Sequence, residues 1–147
     1  MEYTTESGKQ VVINYAGFKD ACELKRQIGL ELLKVNINIS DLINKELDSQ
    51  SINTLKNLIL AIDSSEAIQK TIFKCLSKSL YDNTRITENL FEIDKEAVEE
   101  YYNIVIACVR ENLSPFFVKQ FAVLNELIAT AKSILKSLPV KEQAKAE

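Results

Sequence analysis

The side chains that could do chemistry in this chain are few: three cysteines, a short run of acids, and no histidine at all. Without histidine the commonest general base, the usual partner of a nucleophilic Ser or Cys, and the commonest metal ligand are all missing. An enzyme built here would need a carboxylate pair, an activated lysine or a cofactor loop. Glu99 and Glu100 are adjacent, but neighbouring residues on a helix point to different sides, so their spacing spells out no acid/base dyad. Cys22, Cys75 and Cys108 are odd in number, far apart, and form no Cys-x-x-Cys pair. Each falls among apolar neighbours at helical spacing, which predicts buried structural thiols over the alternative of a reactive or metal-bound cysteine. Neither a phosphate-cradling Gly-rich loop, nor a His-Glu-x-x-His pair, nor an EF-hand loop occurs. The expectation is a protein that is not an enzyme, with no catalytic residue, no cofactor and no metal.

The elements that must carry these residues are helical. All three glycines lie within the first 29 residues, and the only prolines are Pro115 and Pro139. Glycine costs about 1 kcal/mol in a helix interior and proline about 3. The stretch from Leu30 onward is therefore one that helices can occupy end to end. The 147 residues, 46% of them hydrophobic and 27% charged, suit one globular domain. The predicted fold is all-α: a single-domain bundle of about five or six helices over 1–138, with a small N-terminal β-hairpin over 3–14 and a polar tail over 139–147.

In detail, Glu6-Ser-Gly-Lys9 is a turn cluster between β-prone runs, and a lone hairpin must lean on something else to persist. Gly17 precedes a first helix over about 18–34, with Ala21, Leu24, Ile28 and Leu32 on one face. Residues 35–50 read as a loop and a short helix capped by Ser40. A helix over about 51–62 carries Ile52, Leu55, Ile59 and Ile62. Asp63 is expected to cap the next helix in a capping box with Glu66, and that helix to carry Ile68, Ile72, Cys75, Leu76 and Leu80. Tyr81 to Thr84 form a turn, followed by a connecting stretch with a helical turn before Ile93. Asp94 caps a helix whose early acids Glu96, Glu99 and Glu100 complement its dipole. From Tyr101 to Val109 only Asn103 is polar, which predicts a central buried helix.

Ser114-Pro115 reads as the start of a last helix, with proline at the first position where its missing N–H is harmless. Phe117, Phe121, Leu124, Ile128, Ala131, Leu135 and Leu138 follow 4-3 spacing until Pro139. A second row, Phe116, Val123, Leu127 and Ile134, runs beside it. Both rows can be core, or the second can stay open to receive a partner's helix. The net charge of −3 and scattered basic residues argue against nucleic acid, and no apolar run approaches the ~20 residues that span a bilayer. The amino terminus lacks a basic n-region and an apolar h-region, which predicts a cytoplasmic protein.

The block from Leu60 to Phe117 resembles the tail assembly chaperones of long-tailed bacteriophages and prophages. The resemblance rests on Leu60-Ala-Ile-Asp63, Phe73-Lys-Cys-Leu76, Tyr81-Asp82, Thr87 to Phe91, Tyr101-Tyr-x-Ile-Val-Ile-x-Cys108 and Asn112-Leu-Ser-Pro-Phe-Phe117. The Ser-Gly-Lys turn and Phe18-Lys-Asp-Ala21 are similar too. It implies a non-catalytic helper in the host bacterial cytoplasm, absent from the mature virion, that binds the phage tape measure protein and keeps it soluble. It also implies contact with the tail tube protein and a longer frameshifted form of the chain; a homo-oligomer is a separate expectation. The competing expectation is a self-associating helical adaptor unrelated to tails.

Overall fold

The computed structural model describes residues 1–34 and 49–137. The expected loop and Ser40-capped helix, the stop at Pro139 and the polar tail lie outside the described residues. The chain divides into two compact units, Met1–Pro115 and Phe116–Glu147.

The first unit opens with strands β1 (Glu2–Thr4) and β2 (Gln10–Val12), in the register Glu2↔Val12, Tyr3↔Val11 and Thr4↔Gln10. Gly8, at φ +87°, allows the turn between them where an L side chain would be strained. The hairpin leans on more strand. Leu80–Tyr81 (β3) and Thr84–Arg85 (β4) join it in a four-stranded antiparallel sheet of order β1-β2-β3-β4. The predicted turn at 81–84 is the link of that second hairpin, with Asp82 and Asn83 both left-handed at φ 47° and 64°, the signature of a twist-matched two-residue turn. Directly paired residues share a face, so Tyr3, Val11 and Tyr81 form one cross-strand row. Val11 and Tyr81 are buried.

Helix α1 (Phe18–Lys34) begins where expected, with Ala21 N–H bonded to the Gly17 carbonyl at 3.0 Å. It buries Ala21, Leu24 and Ile28 completely. Helix α2 (Ser49–Ser64) buries Leu58 and Ile62. The predicted cap at Asp63 is corrected. Asp63 lies inside α2, and Ser65 is the N-cap of α3 (Glu66–Cys75), its hydroxyl accepting from Ile68 N–H. Ser65 wins because one residue separates the two helices, and only that residue keeps the extended backbone a cap requires. Helix α3 buries Ile68, Thr71, Ile72 and Cys75, but Leu80 lies in β3 rather than on its end. Buried Ser79 accepts from Asn14 N–H at 3.0 Å, tying the chain reversal to the segment after β2.

Helices α4 (Glu88–Ile93) and α5 (Lys95–Glu99) follow. Asp94 caps α5 as expected, accepting from Glu96 and Ala97 N–H at 3.0 and 3.2 Å. The chain re-enters a helix at Tyr101, and α6 (Tyr101–Ser137) carries the core residues Ile104, Val105, Ala107, Cys108, Val109 and Leu113. The predicted start at Ser114-Pro115 is corrected: Pro115 lies inside α6. Its ring removes one N–H bond to the preceding turn, and the Ser114 hydroxyl bonds back to the Arg110 carbonyl there. The boundary between the two units falls at this proline.

Candidate partner-binding surfaces

In the second unit, the row chosen from sequence is a straight stripe. Phe116, Val123, Leu127 and Ile134 lie within about 20° of one line along a helix of 3.6 residues per turn. Phe116 is half-buried and Ile134 is 56% exposed. The side chains of Val123 and Leu127 lie outside the described residues. In the companion 4-3 row Phe117 is buried, whereas Ala131 is exposed. Every described side chain from Ala129 to Ser137 is exposed. Val118, which neither row included, is 66% exposed on the opposite side of the helix from Phe116.

The first unit carries a cleft of about 360 Å³ between β1 and the opening turns of α6. Tyr3, Thr4 and Glu6 stand on one wall, and Glu100, Asn103 and Arg110 on the other. Residues 100, 103 and 110 recur at helical spacing, which aims them at the strand. Among the described residues the buried Tyr3 hydroxyl finds no hydrogen-bond partner, nor does that of Tyr81. Burial, then the Glu100 carboxylate, pushes the Tyr3 phenol up to about 12. Sequence reasoning missed this cleft because its walls are joined only by folding.

A third feature is a chain of edge-to-face aromatics. Phe73 to Phe91, Phe91 to Tyr101 and Tyr101 to Tyr102 have ring centroids 6.0, 5.3 and 5.2 Å apart. It ties α3, α4 and α6 together, and the Tyr102 hydroxyl donates to Asp63 Oδ2 at 2.8 Å, adding α2. These rings are half-buried or exposed and lie outside the core.

Of the cysteines, Cys75 and Cys108 are buried and Cys22 is half-buried; all three are free thiols. The Cys75 thiol donates to the Asp20 carbonyl. The hydrogen bond with Cys75, then burial, holds the Cys108 thiol well above its ordinary value, so it stays protonated. Asn112 stands out in the sequence only through the resemblance, yet like Ser79 it is a fully buried polar link of the unit. Its Oδ1 accepts from Ala16 N–H at 2.9 Å, and its Nδ2 donates to the Cys108 carbonyl at 2.8 Å. Among the described residues no group of three His, Cys, Asp or Glu side chains could hold a metal, and no helix is long and apolar enough to cross a membrane.

Residues 8–125 match the family model described as phage tail assembly chaperone protein, TAC. No curated protein and no solved structure matches the chain.

Proposed function

The chain belongs to the phage tail assembly chaperone family, and on that premise we propose that it binds the tape measure protein and keeps it soluble while the tail is built. The family match over residues 8–125 carries this reading. In it the protein acts in the host cytoplasm, performs no catalytic step and leaves before the virion matures. A tape measure protein is long, helical and apolar, and presents repeated amphipathic helices until tube subunits cover it.

The stripe of Phe116, Val123, Leu127 and Ile134 on α6 is the surface assigned to those helices, in a helix-in-groove mode. The exposure of Ile134 supports an open stripe at that end. Four large apolar side chains yield at most roughly 6–12 kcal/mol on full burial, part of which half-buried Phe116 has already gained. Association itself costs at least about 4 kcal/mol in lost freedom. What remains corresponds to an affinity on the order of micromolar or weaker per contact. Such a contact is tight enough to shield a partner at high local concentration and weak enough to be displaced by polymerising tube subunits.

Co-expression with the tape measure protein encoded by the same phage tests the proposal. The expected result is a soluble tape measure protein that co-elutes with the chain. Val123→Asp with Leu127→Asp should abolish co-elution while the circular dichroism spectrum is kept. A tape measure protein that stays insoluble, with nothing co-eluting, overturns the assignment. A mass that rises with concentration instead would favour the self-associating adaptor.

A further inference from the structure

The edge of the small sheet offers main-chain hydrogen bonds that no other described residue takes up. Met1 pairs with Ile13 through both main-chain groups, at 2.9 and 2.8 Å, and Thr5 N–H bonds the Lys9 carbonyl at 2.8 Å. In an antiparallel ladder bonded and non-bonded pairs alternate. Tyr3 therefore faces Val11 as a bonded pair, and Glu2 and Thr4 turn their N–H and C=O groups away from β2. Strand β1 is the outer strand of the sheet order, so among the described residues no neighbouring strand takes up those groups. Short, charged edge strands usually discourage pairing. Here, however, the edge borders a cleft whose far wall is a helix, the arrangement in which an extended peptide can add to a sheet.

The charges along the cleft give that addition a direction. The Met1 ammonium lies 3.6 Å from Glu111 Oε1, and the Tyr3 ring feels the Glu100 carboxylate, so β1 runs antiparallel to the opening turns of α6. Ten residues of helix rise about 15 Å and five of strand about 17 Å, so the two walls match in length. Glu6 and Glu100 thus mark one end, and Arg110 marks the other. Glu6, Glu100 and Arg110 form no ion pair among the described residues. Ile106 and Ala107 add an apolar surface to the lining.

We propose that this cleft receives an extended segment of a partner protein. The segment adds antiparallel to β1 as an outer strand, with a basic side chain toward Glu6 and Glu100 and, about four residues later, an acidic one toward Arg110. Its backbone bonds Glu2 and Thr4. Side chains four apart on a strand share a face and stand about 13 Å from each other, which suits the spacing of the charged ends. The site uses none of the residues of the apolar stripe, and it stands or falls without the tape measure assignment.

The test uses the full chain, isotope-labelled for NMR, and the peptide acetyl-Thr-Lys-Val-Thr-Val-Glu-Thr-amide. At saturation, hydrogen exchange at the Glu2 and Thr4 amides should slow by at least about tenfold, while Tyr3, paired with Val11, and Thr5, bonded to Lys9, change little. The charge-swapped peptide acetyl-Thr-Glu-Val-Thr-Val-Lys-Thr-amide should bind at least about fivefold more weakly. Arg110→Glu should narrow or reverse that preference, and Glu6→Lys provides a second reversal on the other wall. The proposal is overturned if exchange at Glu2 and Thr4 is unchanged when peptide shifts saturate, or if no saturable shifts appear. Equal affinity for the two peptides overturns it as well. So does protection of Glu2 and Thr4 that grows with protein concentration alone, because the edge would then pair with a second copy.

Discussion

Replacing Asn112 with alanine is the most informative single change to the first unit. The side chain is fully buried and bridges two segments far apart in sequence, from Ala16 to Cys108. The two bonds are not equal in consequence. The Cys108 carbonyl also lies one helical turn before Asn112 N–H within α6, so losing the side-chain donor leaves it satisfied. The Ala16 N–H has no such reserve. Ala16 is only 7% exposed, and its amide would be left unpaired in the interior. An orphaned buried donor costs about 1–3 kcal/mol, and the space vacated by the amide group adds to that. The expected loss is about 3 kcal/mol in urea unfolding, which for a chain of this size lowers the melting temperature by roughly 6–12 °C. Asn103→Ala is the matched control. Asn103 is an exposed amide on the same helix, its side chain donating to Glu100 at 3.1 Å, and should change stability by less than about 0.5 kcal/mol. If Asn112→Ala costs no more than Asn103→Ala, then the Ala16 bond is not a support of the fold and the reasoning fails.

Other expectations are simpler to check. Asp94→Ala should cost about 1 kcal/mol by denaturant unfolding, because two amides at the start of α5 lose their acceptor; Asp94→Asn should recover most of it. The Tyr3 phenol, pushed up to about 12 from 10.0, is favoured in its protonated form by folding. That contribution is whole below pH 10 and is lost as pH rises from 10 through about 12, so alkaline denaturation followed by tyrosinate absorbance should weaken in Tyr3→Phe. With a thiol reagent at neutral pH, Cys22 should react first, and Cys75 and Cys108 only on unfolding; early labelling of Cys108 would contradict its burial.

Local signals were legible wherever they depended on a few consecutive residues. The start of α1 after Gly17, the cap at Asp94, the turn at 81–84 and the first hairpin all follow from backbone preferences that neighbours do not change. Two boundaries were misread for the same physical reason. Asp63 and Ser65 are both good caps, and Pro115 suits both a helix start and a tolerated interior break. Which option prevails depends on what the rest of the chain packs against. The stripe on α6 was legible as a pattern, since periodicity is a property of sequence. The cleft beside β1 and the Asn112 bridge were not, because their parts come from opposite ends of the first unit.

By itself the sequence determined a helical protein without histidine, the resemblance to tail assembly chaperones, and an apolar stripe of unusual width on the last helix. These follow from composition and from short-range spacing, which the unfolded chain already carries. Only the tertiary structure decided that the N-terminal hairpin would recruit residues 80–85 into one sheet, and that β1 would be left as its edge facing a helix. It also decided that a buried asparagine would hold Ala16 to α6. Those outcomes depend on contacts between residues tens of positions apart, and pairing energy across such separations exists only once the intervening chain has folded.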